Sequence, residues 1–301
     1  ILVLLMSIPG IALFYGGLVR QKNVLSVVMQ TMLIVGAVSL IWVAFGYSWA
    51  FDDSYKTSGS PLFFIIGGWG KAFLHGVTTD TLMPTGIPEL TFVMFQCMFA
   101  LITPALILGA FAERIKFKGY MVFTLLWVII AYLPMAHWVW GGGFLQEMGA
   151  IDFAGGTVVH INAGVSALVM ALMIGKREDY RVGHPITPHN IMFVFLGTSF
   201  LWLGWFGFNA GSGLAADGLE ANAFLVTHVA TATAAMTWMT VDWCFNKKPT
   251  TVGACTGAVS GLVAITPAAG TVDLLGAFAI GVITPIVCFI MVAAVKPYFK
   301  Y

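Results

Sequence analysis

Hydrophobic residues run through this chain in long, unbroken stretches separated by short polar connections. A helix crossing a bilayer needs about 20 mainly apolar residues, and stretches of that kind fall at 1–19, 26–50, 90–112, 119–140, 157–175, 190–211, 221–245, 252–268 and 271–295. They are too long and too evenly apolar to be barrel strands, which alternate between lipid-facing and lumen-facing residues. The pattern predicts an all-α, polytopic membrane bundle with nine spans in a single domain over residues 1–301. The connection over 51–89 is the longest, rich in Gly, Ser, Thr and Pro, and is expected to form a short structured vestibule.

Composition agrees with that picture. Of the 301 residues, 59% are hydrophobic and 9% charged, against roughly 25% charged in soluble domains, and the mean hydropathy is +0.92. So few charges could not cover the surface of a water-soluble globule of this size. An aromatic content of 14% excludes disorder, and a net charge of +1 offers no footprint for nucleic acid. The four cysteines, Cys97, Cys244, Cys255 and Cys288, sit in apolar stretches without metal-like spacing and read as small packing residues.

The few charges fix the direction of the spans. Arg20 and Lys22 follow the first span, Arg114, Lys116 and Lys118 the third, and Lys176, Arg177 and Arg181 the fifth. Lys247 and Lys248 follow the seventh, and Lys296 and Lys300 the ninth, which leaves only Lys56 and Lys71 of the 14 basic residues for the other side. That other side takes Asp52, Asp53, Asp80, Glu89, Glu147, Asp152, Asp217, Glu220 and Asp273. By the positive-inside rule the basic side is cytoplasmic. The N-terminus is then expected outside, and the Tyr301 end inside. Phe14-Tyr15-Gly16-Gly17 near the end of span 1 and Phe208-Asn209-Ala210-Gly211 near the end of span 6 suggest an inverted repeat, because five spans separate them. Ordinary small-residue helix packing explains the same match.

In spans this apolar, any ionisable side chain is a candidate functional group. His160 lies a few residues into span 5, in Asp152-Phe-Ala-Gly-Gly-Thr-Val-Val-His160-Ile-Asn162. A neutral imidazole offers both a donor and an acceptor and can pass a proton without holding a permanent charge; the alternative is a histidine bonded to a neighbouring helix. Asp152, before the Gly155-Gly156 pair, is expected to brace the start of that helix through backbone N–H groups, in preference to drawing in cations. His228, among threonines, reads as a packing contact, and Asp242 as a group that reaches the interface or pairs with a nearby base. Trp140 beside Gly141–Gly143 and Trp205-Phe-Gly-Phe208-Asn-Ala-Gly-Ser212 could bind a compact cation on aromatic faces with a hydroxyl acceptor. Trp42, Trp49 and Trp238 read as interfacial anchors. Phe95 and Phe99 are one turn apart and could narrow a pore, or simply pack. No nucleotide-binding, metalloprotease, voltage-sensor or potassium-filter motif is present, so neither catalysis nor a cofactor is expected.

Several stretches together resemble the ammonium transporter family (Amt/Mep/Rh), in its bacterial and archaeal Amt branch. They are Pro9-Gly-Ile-Ala-Leu-Phe-Tyr-Gly-Gly-Leu-Val-Arg20-Gln-Lys-Asn23, Gly109-Ala-Phe-Ala-Glu-Arg114, Ala136-His-Trp-Val-Trp-Gly-Gly-Gly143 and the Asp152–Asn162 segment, then Gly204-Trp-Phe-Gly-Phe-Asn-Ala-Gly-Ser212 and Gly253-Ala-Cys-Thr-Gly-Ala-Val-Ser-Gly-Leu-Val-Ala-Ile-Thr-Pro267. The resemblance implies an inverted five-helix repeat in an eleven-helix homotrimer of the inner membrane, with one pore per subunit. It implies an outer ammonium-recruitment site at Trp140, Ser212 and Phe99, and a gate of Phe99 and Phe208. His160, Trp205 and Thr266 would line the pore, with Asp152 in a supporting role. A regulator of the PII type on the cytoplasmic face is a further implied partner. Residue 1 already sits in an apolar run, so the sequence is expected to begin inside its first helix, and because the family's second pore histidine lies on a tenth helix it is expected to continue past Tyr301. The function expected is ammonium recruitment, deprotonation and conduction of ammonia. The competing expectation is a membrane ammonium sensor heading a signalling protein.

Overall fold

The computed structural model describes residues 2–177 and 187–299. Arg181, His184, Lys300 and Tyr301 lie outside the described residues. Among those described there is no strand, only an isolated bridge between Leu82 and Pro88. Among the described residues nine apolar helices follow one another: α1 (Leu2–Leu18), α2 (Gln21–Phe51), α3 (Glu89–Phe111), α4 (Phe117–Glu147), α5 (Gly156–Ile174), α6 (Ile191–Gly213), α7 (Gly218–Asn246), α8 (Thr251–Ile265) and α9 (Leu274–Val295). Seven of them are long and apolar enough to cross a membrane, while α1 and α8 are shorter. Each of the nine spans corresponds to one helix. α8 ends at Ile265 instead of the expected 268, where Pro267 brings no N–H to continue the ladder.

Local chemistry sets where several helices begin. Asp217 caps α7 through the backbone N–H groups of Leu219 (2.8 Å) and Glu220 (3.3 Å). Asn190, Thr250 and Asp273 cap α6, α8 and α9 in the same way. α4 breaks at Gly141–Gly143 before its last turn, with Gly142 at φ +85°, a left-handed value that favours glycine.

Small residues bring the helix axes close, as expected where no hydrophobic force separates helix from lipid. α1 and α6 pack along their length: Gly204 faces Met6, Gly10 faces Leu201, Gly197 faces Phe14 and Gly17 faces Val194. The numbers fall on one helix as they rise on the other, so the two run antiparallel. That is the relation an inverted repeat requires of its first helices. α7 and α8 meet as closely, since a Cβ on Gly261 would lie 2.6 Å from the Cβ of Ala234.

The two ends of the bundle differ in charge. At the basic end the segments after α1, α3 and α5 converge on Glu113, whose side chain is 2% exposed. Its Oε1 accepts from the Arg20 backbone N–H (2.8 Å), Arg20 Nε (3.2 Å) and Asn23 Nδ2 (2.8 Å), and Arg177 lies 3.6 Å from Oε2. Arg114 donates to the carbonyls of Gly175 and Ala110. Burial pushes the Glu113 carboxyl up, but the bonds from Asn23 and Arg20 outweigh it and hold it below its usual value. A carboxyl depressed in the folded state contributes stability above its unfolded value of 4.5 and loses it as the pH falls through the folded one. In detergent, Glu113→Gln is therefore expected to lower the melting temperature at neutral pH and to flatten its decline below about pH 4.5; a variant with an unaltered acid limb would assign that limb to another carboxylate.

At the acidic end the 51–89 connection is structured, as expected. Asp52 accepts from Ser54 Oγ (2.6 Å) and Gly70 N (2.5 Å), and Glu89 pairs with Lys71 while accepting from Tyr47 Oη (2.7 Å). Asp242, at the other end of α7, differs from expectation: it is buried and accepts from Thr250 Oγ1 (2.7 Å) and Asn246 Nδ2 (3.1 Å). No basic partner of Asp242 is found among the described residues. The capping threonine of α8 comes within reach first, so Asp242 ties the α7–α8 turn together.

Candidate functional site: an aromatic cup above a buried imidazole

At the acidic end, between α3, α4 and α6, lies a cavity of about 170 Å³ whose lining includes Phe92, Phe95, Gln96, Trp140, Phe153 and Ser212, together with Phe51 and Leu214. Trp140 stands just before the break in α4, and its indole Nε1 donates to the carbonyl of Asp152 (2.9 Å). Ser212, on the last turn of α6, donates its hydroxyl proton to the carbonyl of Phe208 (2.7 Å). Both polar hydrogens are therefore committed to the backbone. What remains for the cavity is an aromatic face and a hydroxyl lone pair, both electron-rich. None of the lining residues is charged.

Asp152 is what places this wall. Its Oδ1 accepts from Gly155 N (2.8 Å) and Gly156 N (2.5 Å), and its Oδ2 from Thr157 N (2.8 Å) and Val158 N (3.0 Å). Four otherwise orphaned donors at the start of α5 thus end on one carboxylate. The turn needs glycine twice: Gly155 has φ +111°, and any Cβ at Gly156 would run into the ring of Pro267. Asp152 is consumed by these bonds and does not face the cavity.

Beneath the cavity a line of rings leads inward. Trp140 meets Phe99 edge-on at 5.6 Å and 89°, and Phe99 stacks on Phe208 at 4.3 Å and 22°. Both phenylalanines are almost wholly buried. Phe208 touches His160 at 5.9 Å, and His160 stacks on Trp205 at 5.4 Å and 12°. Phe95 lies edge-on to Phe99 at 4.9 Å but reaches neither Phe208 nor His160 among the ring contacts, so the close stack is Phe99–Phe208 and not Phe95–Phe99.

The orientation of His160 follows from its backbone. α5 opens as a wide π turn over Gly156–Ile161, in which the His160 N–H bonds the carbonyl of Gly155, five residues back. Such insertions re-aim side chains and recur at functional sites. Trp205 is locked by its Nε1, which donates to Thr266 Oγ1 (2.8 Å), and Thr266 in turn donates to the Leu262 carbonyl (2.8 Å). His160 Nε2 is buried with no hydrogen-bond partner among the described residues, so the reading of a histidine satisfied by a neighbouring helix is not met at that nitrogen.

The structure thus brings Trp140, Ser212, Phe99, Phe208, His160, Trp205 and Thr266 into one continuous arrangement. It leaves the other intramembrane histidines out. His228 is exposed on α7, against Trp202 (5.3 Å) and Phe206 (6.1 Å). His137 is buried beside the carbonyls of Phe63 (2.7 Å) and Ala50 (3.3 Å). Gln96 lines the cup and did not stand out in the sequence, although its place on α3 between Phe92 and Phe99 puts all three on one helix face. A roomier groove of about 340 Å³ between α6, α7 and α8 is lined by Phe195, Trp202 and Met239 and contains none of these residues.

Fold and site together define a multi-pass helical membrane protein with a neutral aromatic cup above a buried imidazole. Residues 1–301 match the family model described as the Ammonium Transporter Family, and the chain belongs to that family of membrane transporters. It is 48% identical over 302 residues to the ammonium transporter of Bacillus subtilis (strain 168), an alignment covering 100% of this chain and 72% of that protein. Among solved structures, Saccharomyces cerevisiae Mep2 superposes with a TM-score of 0.88 at 39% identity, covering 98% of this chain and 66% of Mep2. A structure described as a sensor Amt protein superposes with a TM-score of 0.89 at 32% identity, over 99% of this chain and 73% of that one. The chain thus spans about two thirds of the length of the Mep2 structure it matches.

Proposed function

We propose that this chain recruits ammonium at the cup of Trp140, Ser212 and Phe99, releases its proton there, and conducts ammonia inward past Phe99 and Phe208 along His160, Trp205 and Thr266. The observation that carries this reading is the unbroken ring contact from the neutral, electron-rich cup to a buried imidazole nitrogen with no hydrogen-bond partner among the described residues. Aromatic faces attract compact cations by roughly 0.5–2 kcal/mol, and the Ser212 lone pair accepts an N–H. Carrying the intact charge further would cost several kcal/mol or more in hydrocarbon. Ammonium avoids that cost by breaking one N–H bond: the proton passes to water or to an imidazole and crosses separately by way of His160, which gives the current, while neutral ammonia enters the stack. Potassium has no such option. Phe99 and Phe208 serve as the gate, and Asp152 holds the mouth in shape.

In this reading the acidic end is external and the basic end cytoplasmic, in a cell inner membrane, with the N-terminus outside and the Tyr301 end inside. Residues 1–301 form one membrane domain, assembled as a homotrimer, and a PII-type regulator would meet the basic end. The likeness to a sensor Amt protein favours a second reading, an ammonium sensor that transports little. Ammonium jumps on proteoliposomes separate the two. The transporter gives a current that saturates with ammonium, whereas a sensor binds ammonium and gives none.

A further inference from the structure

In the connection at the acidic end, the stretch Pro61-Leu-Phe-Phe-Ile-Ile-Gly-Gly-Trp-Gly-Lys71-Ala-Phe-Leu74 carries one charge in 14 residues. It is too short to cross a bilayer, and runs of this length suit a buried or interfacial position. It does not stand clear of the bundle. Trp69 packs against Phe45 (5.9 Å) and Trp49 (5.3 Å) of α2, and the turn Ala72–Leu74 lies against Trp42–Gly46 of the same helix. Those α2 residues precede its end at Phe51 by about 7–14 Å at 1.5 Å per residue. The connection therefore folds back down the side of α2, fastened there by the N–H of Gly67 to the Trp49 carbonyl (2.7 Å) and of Lys71 to Ser48 Oγ (3.0 Å).

At that depth the outward side chains are apolar. Phe73 is 78% exposed and Trp69 49%, while Leu40 and Val43 of α2 are exposed at nearly the same level. The one charge is turned inward, where Lys71 pairs with Glu89 and lies 5.7 Å from the ring of the buried Tyr47. Phe73 and Leu74 both take left-handed φ, +52° and +57°, a conformation that costs a residue with a side chain. The backbone is thus held under strain with a phenyl ring facing outward. We propose that the 69–74 turn is an interfacial anchor, with Phe73 and the free edge of Trp69 entering the phospholipid leaflet at the acidic end. Lipid is favoured as the occupant because the patch continues the exposed apolar side of a helix that crosses the membrane. Aromatic rings collect at that boundary, with an apolar body in the acyl region. Backbone N–H groups at such a depth need internal partners, and those of Ala72 and Leu74 bond the carbonyls of Trp69 (3.1 Å) and Lys71 (2.9 Å). The polar, exposed Thr78, Thr79 and Asp80 then return the chain to water.

Spin labels test this. Phe73→Cys, Leu40→Cys and Asp80→Cys are each made with the native cysteines replaced by alanine, labelled with a nitroxide and placed in phospholipid nanodiscs. Collisions with oxygen, which concentrates in lipid, are compared with collisions with a neutral nickel chelate, which stays in water. The oxygen-to-chelate ratio at position 73 is expected to be severalfold above that at position 80 and close to that at position 40. A ratio at position 73 equal to that at position 80 overturns the proposal. A label at 73 shielded from both reagents would put a second copy of the chain on the patch, and overturns it as well. Should Phe73→Cys not be recovered folded, the wild-type protein in the same nanodiscs is photolabelled with a lipid-soluble diazirine and mapped by mass spectrometry. Carbene insertion is expected within residues 69–74; insertion into α2 with none in that turn overturns the proposal. Neither readout involves ammonium, so a protein that gave no current would overturn the transport reading and leave this one standing.

Discussion

Replacing Asp152 by asparagine is expected to cost about a hundredfold in ammonium-evoked current. The carboxylate accepts four backbone N–H groups, two on each oxygen. Asparagine keeps one acceptor oxygen and turns an NH₂ group toward the other two donors. Two charge-assisted bonds are lost, each worth about 1.5–3 kcal/mol, and the two freed N–H groups stay buried. At about 1.4 kcal/mol per factor of ten, that displaces the mouth of α5 from its working shape in most molecules. The Asp152 carbonyl also holds the Trp140 indole, so one wall of the cup moves with it. Measuring the loss at two ionic strengths separates this from a long-range attraction of cations. Bracing gives the same loss at both, whereas attraction by an accessible charge weakens as salt screens it. A current within twofold of wild type would contradict the bracing role altogether.

The second large effect is at His160. Phenylalanine in its place preserves the stack on Trp205 and removes both ring nitrogens, so Gly156, Pro267 and the indole of Trp205 keep their positions. The current is expected to fall about five- to tenfold, the order of one lost hydrogen bond of roughly 1–1.4 kcal/mol to the passing ammonia, with the melting temperature nearly unchanged. Alanine should lose both current and stability, because it also leaves the Trp205 face without its partner. If His160→Phe conducts ammonium as well as the wild type, the imidazole is a spacer and the proton travels elsewhere.

Much of this architecture is legible in the sequence, for physical reasons that can be named. The spans are legible because a bilayer demands about 20 apolar residues at a time, and their alternation because basic residues gather after every second one. Asp152 is legible because a carboxylate before two glycines has backbone N–H groups within reach of a short side chain. The antiparallel pairing of α1 with α6 is suggested by an odd number of intervening turns, and their glycines show where the backbones touch.

The rest depends on contacts between residues far apart in the chain, which no local pattern records. Glu113, after α3, gathers Arg20 and Asn23 from the segment after α1 and Arg177 from the segment after α5; in sequence it is one acidic residue beside one arginine. Asp242 invites a basic partner by its charge, yet the threonine that caps the next helix reaches it first. Phe95 and Phe99 share a turn and look like a pair, but it is Phe208, from α6, that lies flat on Phe99. Gln96 is one polar letter in an apolar helix. Only the cavity beside it and the absence of a partner for its oxygen set it apart.

The central claim, that ammonium is split at the cup and a neutral molecule passes the phenylalanine stack while its proton crosses separately, is tested most directly by comparing ammonium and potassium jumps of equal size on the same proteoliposomes. The account predicts a saturating response to ammonium and none to potassium above that of protein-free liposomes. Potassium currents equal to those of ammonium would contradict it, since an ion unable to give up a proton would then be crossing intact.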